Sequence, residues 1–315
     1  MDGIAACLER ARHVVRMRQG PRFRESNRRF PGWPGVCSGS LKMRLVTYDR
    51  RGHRRLGAIL DGRVVDLPDA VGHPAFPATL EAFVQSSRGT VLDAARAALA
   101  REDVMNHVVK GARILPPLFP RSLLIPAAPG SFASRDGVDL ERRIAGPEDE
   151  IPWPVGAAWL DYEPKVAAVL GLETTDVETD GVQDHVFGYT LVSDWVAKDA
   201  SGDPLGTSEG VPLAIGPCVV TADECDPQAM FLQAKVEGEE MAKGNLNGAA
   251  RSLFALIAAA SRGTTLERAD AFALGPFPAR DDDPARRLWP GATVELAAEG
   301  IGTLRNRLGP RPSAG

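Results

Sequence analysis

One segment, residues 160–171, constrains the fold of this 315-residue chain more than any other. Its sequence, LDYEPKVAAVLG, is continuously apolar after Lys165, which is typical of a buried β-strand. Side chains two residues apart in a strand point to the same face of the sheet, so Glu163 and Lys165 are expected side by side. The segment therefore predicts a strand that presents a carboxylate and an ammonium group to one pocket.

The same segment resembles the signature strand of the fumarylacetoacetate hydrolase family, whose pattern is roughly D-Y-E-x-E-L-A-x-V-x-G. Six further segments resemble motifs of that family and stand in the family's order. They are residues 146–149 (GPED), 187–190 (FGYT), 193–199 (SDWVAKD), 244–246 (GNL), 261–266 (SRGTTL) and 299–306 (EGIGTLRN). Each motif is short, but seven in order indicate that the chain resembles a divergent member of the family over about residues 43–308.

The resemblance implies an α+β fold of the fumarylacetoacetate hydrolase type, with a small N-terminal α+β domain and a mainly β C-terminal domain. We expect the small domain over residues 43–118 and the large domain, with mixed and rolled sheets around the pocket, over residues 119–310. The local pattern predicts strands at 44–48, 56–60 and 63–67, helices at 79–83, 91–100 and 248–260, and a terminal hairpin over 293–304. Family members commonly form homodimers, so we expect a homodimer here.

Residues 1–42 differ in composition from the rest of the chain. They hold nine Lys and Arg residues against three Asp and Glu, which leaves a net charge of −10 on residues 43–315. Such a basic segment is expected to be a flexible extension, because it offers little apolar surface to bury. The acidic body argues against a nucleic-acid partner, and the absence of a long apolar run argues against a membrane span. We expect a cytoplasmic protein.

The family's reactions cleave C–C bonds of 1,3-dicarbonyl compounds and 2-oxo acids, with isomerases among its members. In the family a Mg²⁺ or Mn²⁺ ion stabilises the enolate as a Lewis acid. Two glutamates of the signature strand and one aspartate bind that ion. Glu163 matches the first glutamate and Asp194 matches the aspartate, but Lys165 replaces the second glutamate. Lys198 stands in the place of an arginine of the family.

Other family positions also differ in this chain. Val196 replaces a serine, Ser208 or Glu209 falls where a lysine is expected, and Pro276 replaces a threonine. The family's lid carries a His-Glu pair that activates water, yet no histidine occurs between Leu124 and Gly146. The nearest other candidate, His185, is interpreted as a structural loop residue. The resemblance therefore implies the fold more fully than it implies the family's usual chemistry.

The charge of Lys165 suggests a specific replacement. Our hypothesis is that its ammonium lies between Glu163 and Asp194 in place of the metal ion, since an ammonium there would repel a cation and compete for both carboxylates. Two other placements stay open at this point. The carboxylates could be remnants held in ion pairs with Lys165 or Lys198, or a bulge at Pro164 could turn Lys165 towards solvent.

Three functions are consistent with these residues. The first is an enzyme that acts on a small 2-oxo acid or 1,3-dicarbonyl compound through an enolate, without a metal, using Lys165, Lys198, Glu163 and Asp194. Hydrolysis, decarboxylation, tautomerisation and cyclisation are its possible reactions. The second is a catalytically inactive relative that binds a ligand or a partner protein. The third is a weakly Mg²⁺- or Mn²⁺-dependent hydrolase that recruits a ligand from elsewhere, such as Glu148 or Asp149.

Overall fold

The computed structural model of the protein describes residues 43–86, 89–128, 131–136, 143–205, 211–246, 252–275 and 287–312. The predicted basic extension, residues 1–42, lies outside the described residues. Among the described residues, no helix is both long and apolar enough to cross a membrane.

Three antiparallel strands open the described chain: β1 (Arg44–Arg50), β2 (His53–Leu60) and β3 (Arg63–Asp66). Both connections are two-residue turns in which each central residue has a positive φ, 56° and 83° at Arg51 and Gly52 and 50° and 73° at Asp61 and Gly62. This backbone matches the right-handed twist of the flanking strands, so both hairpins are tight. Three helices follow, α1 (Leu67–Val71), α2 (Leu80–Ser86) and α3 (Thr90–Leu99), and then the short strand β4 (Ile114–Leu115).

A second group of strands completes the large sheet. It comprises β5 (Ser122–Ala128), β6 (Ser131–Asp136), β7 (Ile144–Ala145), β9 (Trp159–Leu170), β10 (Val186–Lys198), β11 (Leu213–Thr221) and β14 (Ala271–Leu274). With the N-terminal strands they make one sheet in the order β3-β2-β1-β11-β10-β9-β14-β5-β6, to which β4 adds at β1 and β7 at β11. The sheet therefore runs continuously across residue 118, and the domain boundary there stays a prediction.

A smaller sheet packs beside the large one. Its strands are β8 (Glu150–Ile151), β12 (Phe231–Val236), β13 (Glu239–Asn245), β15 (Thr293–Ala298) and β16 (Gly302–Leu308), in the order β13-β12-β15-β16-β8. The helix α4 (Leu253–Ala260) and three short 3₁₀ turns (Val104–His107, Val182–His185 and Ala222–Glu224) complete the described elements. The predicted α+β fold with mixed sheets is confirmed, as is the terminal hairpin.

The helix α4 begins later than its predicted start at residue 248. The Ser252 side chain accepts a hydrogen bond from the Ala255 N–H and so caps the first turn at Leu253. Residues 247–251 lie outside the described part of the chain. Periodicity alone placed the start too early because the apolar repeat does not mark the capping residue.

Asp66 organises the small N-terminal unit. Its buried carboxylate accepts hydrogen bonds from the Tyr48 hydroxyl (2.5 Å), from the guanidinium groups of Arg50 (2.6 Å) and Arg55 (3.0 Å), and from the Asp69 N–H at the start of α1 (2.8 Å). Burial alone would raise the pKa of Asp66, but these hydrogen bonds, with that from Arg55 foremost, outweigh it and hold the pKa below its ordinary value. One side chain therefore joins two strands to a helix.

We predict that Asp66→Asn lowers the free energy of unfolding by about 2 kcal/mol at neutral pH, because it removes a buried charge that several donors share. The lowered pKa of Asp66 stabilises the fold above the unfolded-state pKa of about 3.9, and that contribution disappears as the pH falls through the folded-state value. Urea unfolding between about pH 7 and pH 3 should therefore show a smaller loss of stability in acid for the variant than for the wild type. The exposed Asp180→Asn is the control, and an equal acid response in Asp66→Asn would contradict the assignment.

Candidate active site

The antiparallel pair β9 and β10 places the predicted residues on one face of the large sheet. Glu163 lies directly across from Asp194, and Lys165 lies across from Val192. Directly paired residues share a face, so both carboxylates and the lysine project to the same side. The pairing continues without a shift through Pro164, which lies across from Ser193. The alternative in which a bulge at Pro164 turns Lys165 to solvent is therefore wrong.

The Lys165 ammonium lies between the two carboxylates. Its Nζ donates to Glu163 Oε2 at 2.5 Å and to Asp194 Oδ2 at 3.1 Å. The exposed fraction of the side chain is 2% for Lys165, 11% for Asp194 and 37% for Glu163. Glu163 is therefore the member of this group that a molecule in solution meets first, and Lys165 lies behind it.

Apolar and steric contacts hold the lysine in this place. Val192, across from Lys165, is fully buried in a cluster that includes Ala167, Leu213 and Ala273. On the other side of β9, Gly275 follows the last residue of β14. A Cβ atom on Gly275 would come within 2.6 Å of Lys165 Cγ and 2.3 Å of the Pro164 carbonyl oxygen. The absence of a side chain at Gly275 thus lets the chain close against the lysine stem.

The structure does not bring Lys198 to this group. Lys198 lies on the same face as Asp194 but four residues further along β10, about 13 Å at the rise of a strand. It lies across from Trp159, and its Nζ is 5.9 Å from the centre of the Trp159 ring. An ion pair between Lys198 and either carboxylate, one of the alternatives from the sequence, is therefore not observed.

The donor set does not fit a Mg²⁺ or Mn²⁺ ion. Both carboxylates that the family resemblance assigns to the ion, Glu163 and Asp194, are bonded to an internal ammonium. Hard divalent ions need oxygen ligands and room for several waters, and they are repelled by a neighbouring cation. Over the described ranges, His, Cys, Asp and Glu side chains nowhere form a group of three that could hold a metal.

Glu148 and Asp149, the replacement metal ligands suggested by the sequence, form ion pairs with other residues. Glu148 forms an ion pair with Arg305 at 3.1 Å, and Asp149 pairs with Arg113 at 3.1 Å. The Asp149 carboxylate also accepts a hydrogen bond from the Gly146 N–H at 2.8 Å. Recruitment of either residue as a replacement ligand is therefore not supported by the geometry.

The other positions considered in the sequence analysis do not add a side chain to the group around Lys165 in the described part of the chain. His185 Nδ1 is 2.9 Å from Thr174 Oγ1 at the end of a short 3₁₀ turn, which agrees with its interpretation as a structural residue. Ser208, Glu209 and Pro276 lie outside the described residues. Neither the steric role of Gly275 nor the position of Arg287 beside Trp159 was predicted from the sequence. The only sequence signal for Gly275 was its place just before Pro276.

Comparison with known proteins agrees with this fold. Residues 137–309 match the family model described as fumarylacetoacetate (FAA) hydrolase, C-terminal. The chain belongs to the fumarylacetoacetate hydrolase family. The prediction of an enzyme is confirmed at the level of this family, since its relatives are named as tautomerases and hydrolases.

Two relatives and one solved structure illustrate the similarity. Oxaloacetate tautomerase YisK of Bacillus subtilis (strain 168) is 31% identical over 157 residues, which span 48% of this chain but only about half (52%) of that protein. Mitochondrial oxaloacetate tautomerase fahd2 of Xenopus laevis is 27% identical over 274 residues, 76% of this chain and 82% of that protein. Maleylpyruvate hydrolase of Sphingobium sp. SYK-6, crystallised with manganese(II) and pyruvate, has a TM-score of 0.66 and 20% identity, over 86% of this chain and all of that one.

We predict that Gly275→Ala lowers the free energy of unfolding by about 1–3 kcal/mol, because its Cβ would overlap Pro164 and Lys165. The variant should also disturb the lysine, so any activity that depends on Lys165 should fall more than the loss of folded protein explains. Urea unfolding and activity per folded molecule measure the two effects. Gly181→Ala is the matched control, because its Cβ would meet only ordinary contacts at 3.4 and 3.5 Å. Equal stability of the two variants would contradict the packing argument.

Proposed function

We propose that this chain is an enzyme that catalyses proton transfer on a small 2-oxo acid or 1,3-dicarbonyl compound through an enolate. In this proposal the Lys165 ammonium stabilises the negative charge of the enolate, the role that the metal ion has in the family. The observation that carries the proposal is the Lys165 ammonium between Glu163 and Asp194, at 2.5 and 3.1 Å. Keto–enol tautomerisation needs only a base and a group that stabilises negative oxygen, and this site offers both.

The replacement preserves the net charge of the site. In the family pattern, three carboxylates and one divalent cation sum to −1. Here Glu163, Asp194 and the Lys165 ammonium also sum to −1. A single Glu-to-Lys change thus removes a ligand and supplies a cation together, which supports retention of the electrostatic environment around the reacting oxygen.

The proton step follows from the exposure of the three groups. Glu163, the most exposed, is placed to accept the proton from the carbon next to the carbonyl group. The C–H electron pair then forms the C=C bond of the enolate, and the carbonyl oxygen takes the negative charge. An ammonium has three N–H donors, and Lys165 uses two of them in its hydrogen bonds to Glu163 and Asp194. We assign the third to the enolate oxygen, and Glu163 then delivers the proton to that oxygen, which gives the enol; the reverse sequence returns the keto form.

Substrate charge is the role proposed for Lys198. It lies on the same face of the sheet, beyond Asp194, and it can attract a carboxylate of the substrate. The names of relatives support this class of compound: two are oxaloacetate tautomerases, and the crystallised maleylpyruvate hydrolase holds pyruvate. The proposed substrate is therefore an anionic 2-oxo acid. The homodimer and the cytoplasmic location stay predictions, the first of which sedimentation velocity can test.

We predict that Lys165→Met lowers kcat for tautomerisation of oxaloacetate by about 100-fold or more, because it removes the donor to the enolate oxygen. The decay of enol absorbance measures the rate, and circular dichroism checks the fold. Glu163→Gln, which leaves Lys165 paired with Asp194, should cause a similar loss through the missing base. Lys110→Met, on an exposed residue, is the control. Full activity in Lys165→Met would contradict the proposed role.

A second candidate function is binding without catalysis. The observation that favours it is the closure of the group, since the Lys165 side chain is only 2% exposed and both of its carboxylate partners are on its own sheet. Buried ion pairs of this kind also serve structure alone. In that case the wild type shows no turnover with any of a panel of 2-oxo acids and acylpyruvates, while pyruvate or oxaloacetate still raises the unfolding midpoint.

Because Glu163 and Asp194 with Lys165 between them do not fit a metal ion, the effect of metal on stability can be predicted. For the wild type, addition of Mn²⁺ in place of EDTA should leave the thermal unfolding midpoint unchanged, because Lys165 occupies the space between the carboxylates. Lys165→Glu should restore a third carboxylate and produce a midpoint that rises with Mn²⁺ concentration. Lys165→Gln, which removes the charge without adding a ligand, is the control. A Mn²⁺-dependent rise in the wild type would overturn metal-free catalysis.

A further inference from the structure

Four neighbouring strands of the large sheet have their ends at one edge of the fold. In the order β1-β11-β10-β9, antiparallel pairing sets the first residues of β1 and β10 beside the last residues of β11 and β9. Adjacent strands lie about 4.8 Å apart, so this edge is about 14 Å wide from β1 to β9. Two connections lie along it, residues 171–185 between β9 and β10 and residues 222–230 after β11.

The two connections, together called the acidic edge, contain eight Asp and Glu residues and no Lys or Arg. Five of the eight carboxylates lie in residues 173–184, and all five of these residues are exposed. Arg96 of α3 pairs with Asp223. Together with Arg44 at the start of β1, Arg96 reduces the eight negative charges to six. Residues 261–270, which adjoin the first connection, hold equal numbers of basic and acidic residues, so the surplus of six remains.

Residues 1–42 carry the opposite charge and join the described chain at this edge. They hold nine Lys and Arg residues against three Asp and Glu, a net charge of +6, and eight of the nine are arginines between positions 10 and 29. Met43 is buried in the core of the N-terminal unit, and its backbone N–H donates to the Glu224 carboxylate at 2.5 Å. The basic segment is therefore attached to the fold at an acidic turn.

The arginines of the segment are within reach of the whole acidic edge. Thirteen residues separate Arg29 from Met43, and an extended chain of this length spans up to about 45 Å. That reach is about three times the width of the edge. Because the segment is covalently attached, its effective concentration at the edge is high, and several weak contacts can form together. Ion pairs that contribute little one at a time can therefore hold the segment in place.

We propose that residues 1–42 bind the acidic edge of their own chain through their arginines. The net charge of +6 on the segment equals the surplus of six negative charges at the edge. A guanidinium group binds a carboxylate with two parallel hydrogen bonds, and its charge reduces the repulsion among neighbouring carboxylates. Lys165 lies five residues before the end of β9, about 16 Å away. The contact is therefore independent of the chemistry proposed at Lys165.

Limited trypsin digestion of the full chain tests the contact, because trypsin cleaves after Arg and Lys only where these side chains are free. Mass spectrometry measures the rate of the first cleavage within residues 1–42. An increase in ionic strength from about 0.1 M to about 1 M should speed up this cleavage in the wild type, since the Debye length falls from about 10 Å to about 3 Å. A short arginine peptide in the same buffers corrects for the effect of salt on trypsin.

Removal of negative charge from the edge should release the segment at low salt. The triple variant Glu173→Gln, Glu178→Gln, Asp184→Asn neutralises three exposed carboxylates of the first connection. Its first cleavage should be about fivefold or more faster than in the wild type, the effect expected for the loss of three exposed ion pairs that act together. A matched control neutralises three exposed carboxylates of the same types outside the edge and should keep the wild-type rate. Its substitutions are Glu150→Gln, Asp203→Asn and Glu239→Gln.

Three results would overturn the proposal. The first is an equal cleavage rate in the triple variant, the control and the wild type, with circular dichroism showing that all three are folded. The second is a wild-type rate that does not respond to salt, a measurement that needs no substitution. The third is protection that increases with protein concentration, which would assign the acidic edge to the basic segment of a second copy instead of the chain's own.

Discussion

The contact of one buried ammonium with two carboxylates is the interaction on which this site depends. At an effective dielectric constant near 20, each such contact at about 4 Å is worth roughly 4 kcal/mol of Coulomb energy before desolvation is subtracted. Removal of Lys165 would leave Glu163 and Asp194 close together on neighbouring strands with no cation between them. The lysine therefore makes the two carboxylates compatible with each other, which in the family pattern is a function of the metal ion.

The pairing of β9 with β10 gives this contact its setting, because the two faces of the pair have different roles. One face continues into the main core through residues such as Leu160, Tyr162 and Trp195. The other changes along its length from buried apolar residues around Val192, through the Lys165 group, to the cations at Trp159. Because side chains alternate between the two faces of a strand, the local sequence determines which residues share this site, which extends over about four residues of β9.

Much of this arrangement could be predicted from the sequence, because it depends on period and on short motifs. The spacing of Glu163 and Lys165 placed them on one face, and the family pattern supplied Asp194 from the next strand. The rest depends on register between distant segments. The close approach of Gly275 to Pro164 and Lys165 cannot be read from any local pattern, and neither can the position of Arg287 beside Trp159. Each depends on the pairing of a distant segment of the chain with β9. The separation of Lys198 from Asp194 is different, because both residues lie on β10 and the strand rise alone places them about 13 Å apart.

The exchange of a metal ion for a lysine has a consequence for substrate binding. A divalent ion can chelate two oxygens of a 2-oxo acid, whereas Lys165 has only one N–H left to donate after its two ion pairs. Binding energy and orientation that chelation would supply must then come from another part of the substrate. Lys198, on the same face and beyond Asp194, is a suitable source of both under the proposed function. The replacement of the second glutamate by Lys165 therefore moves part of the proposed substrate binding away from the reacting oxygens and towards Lys198.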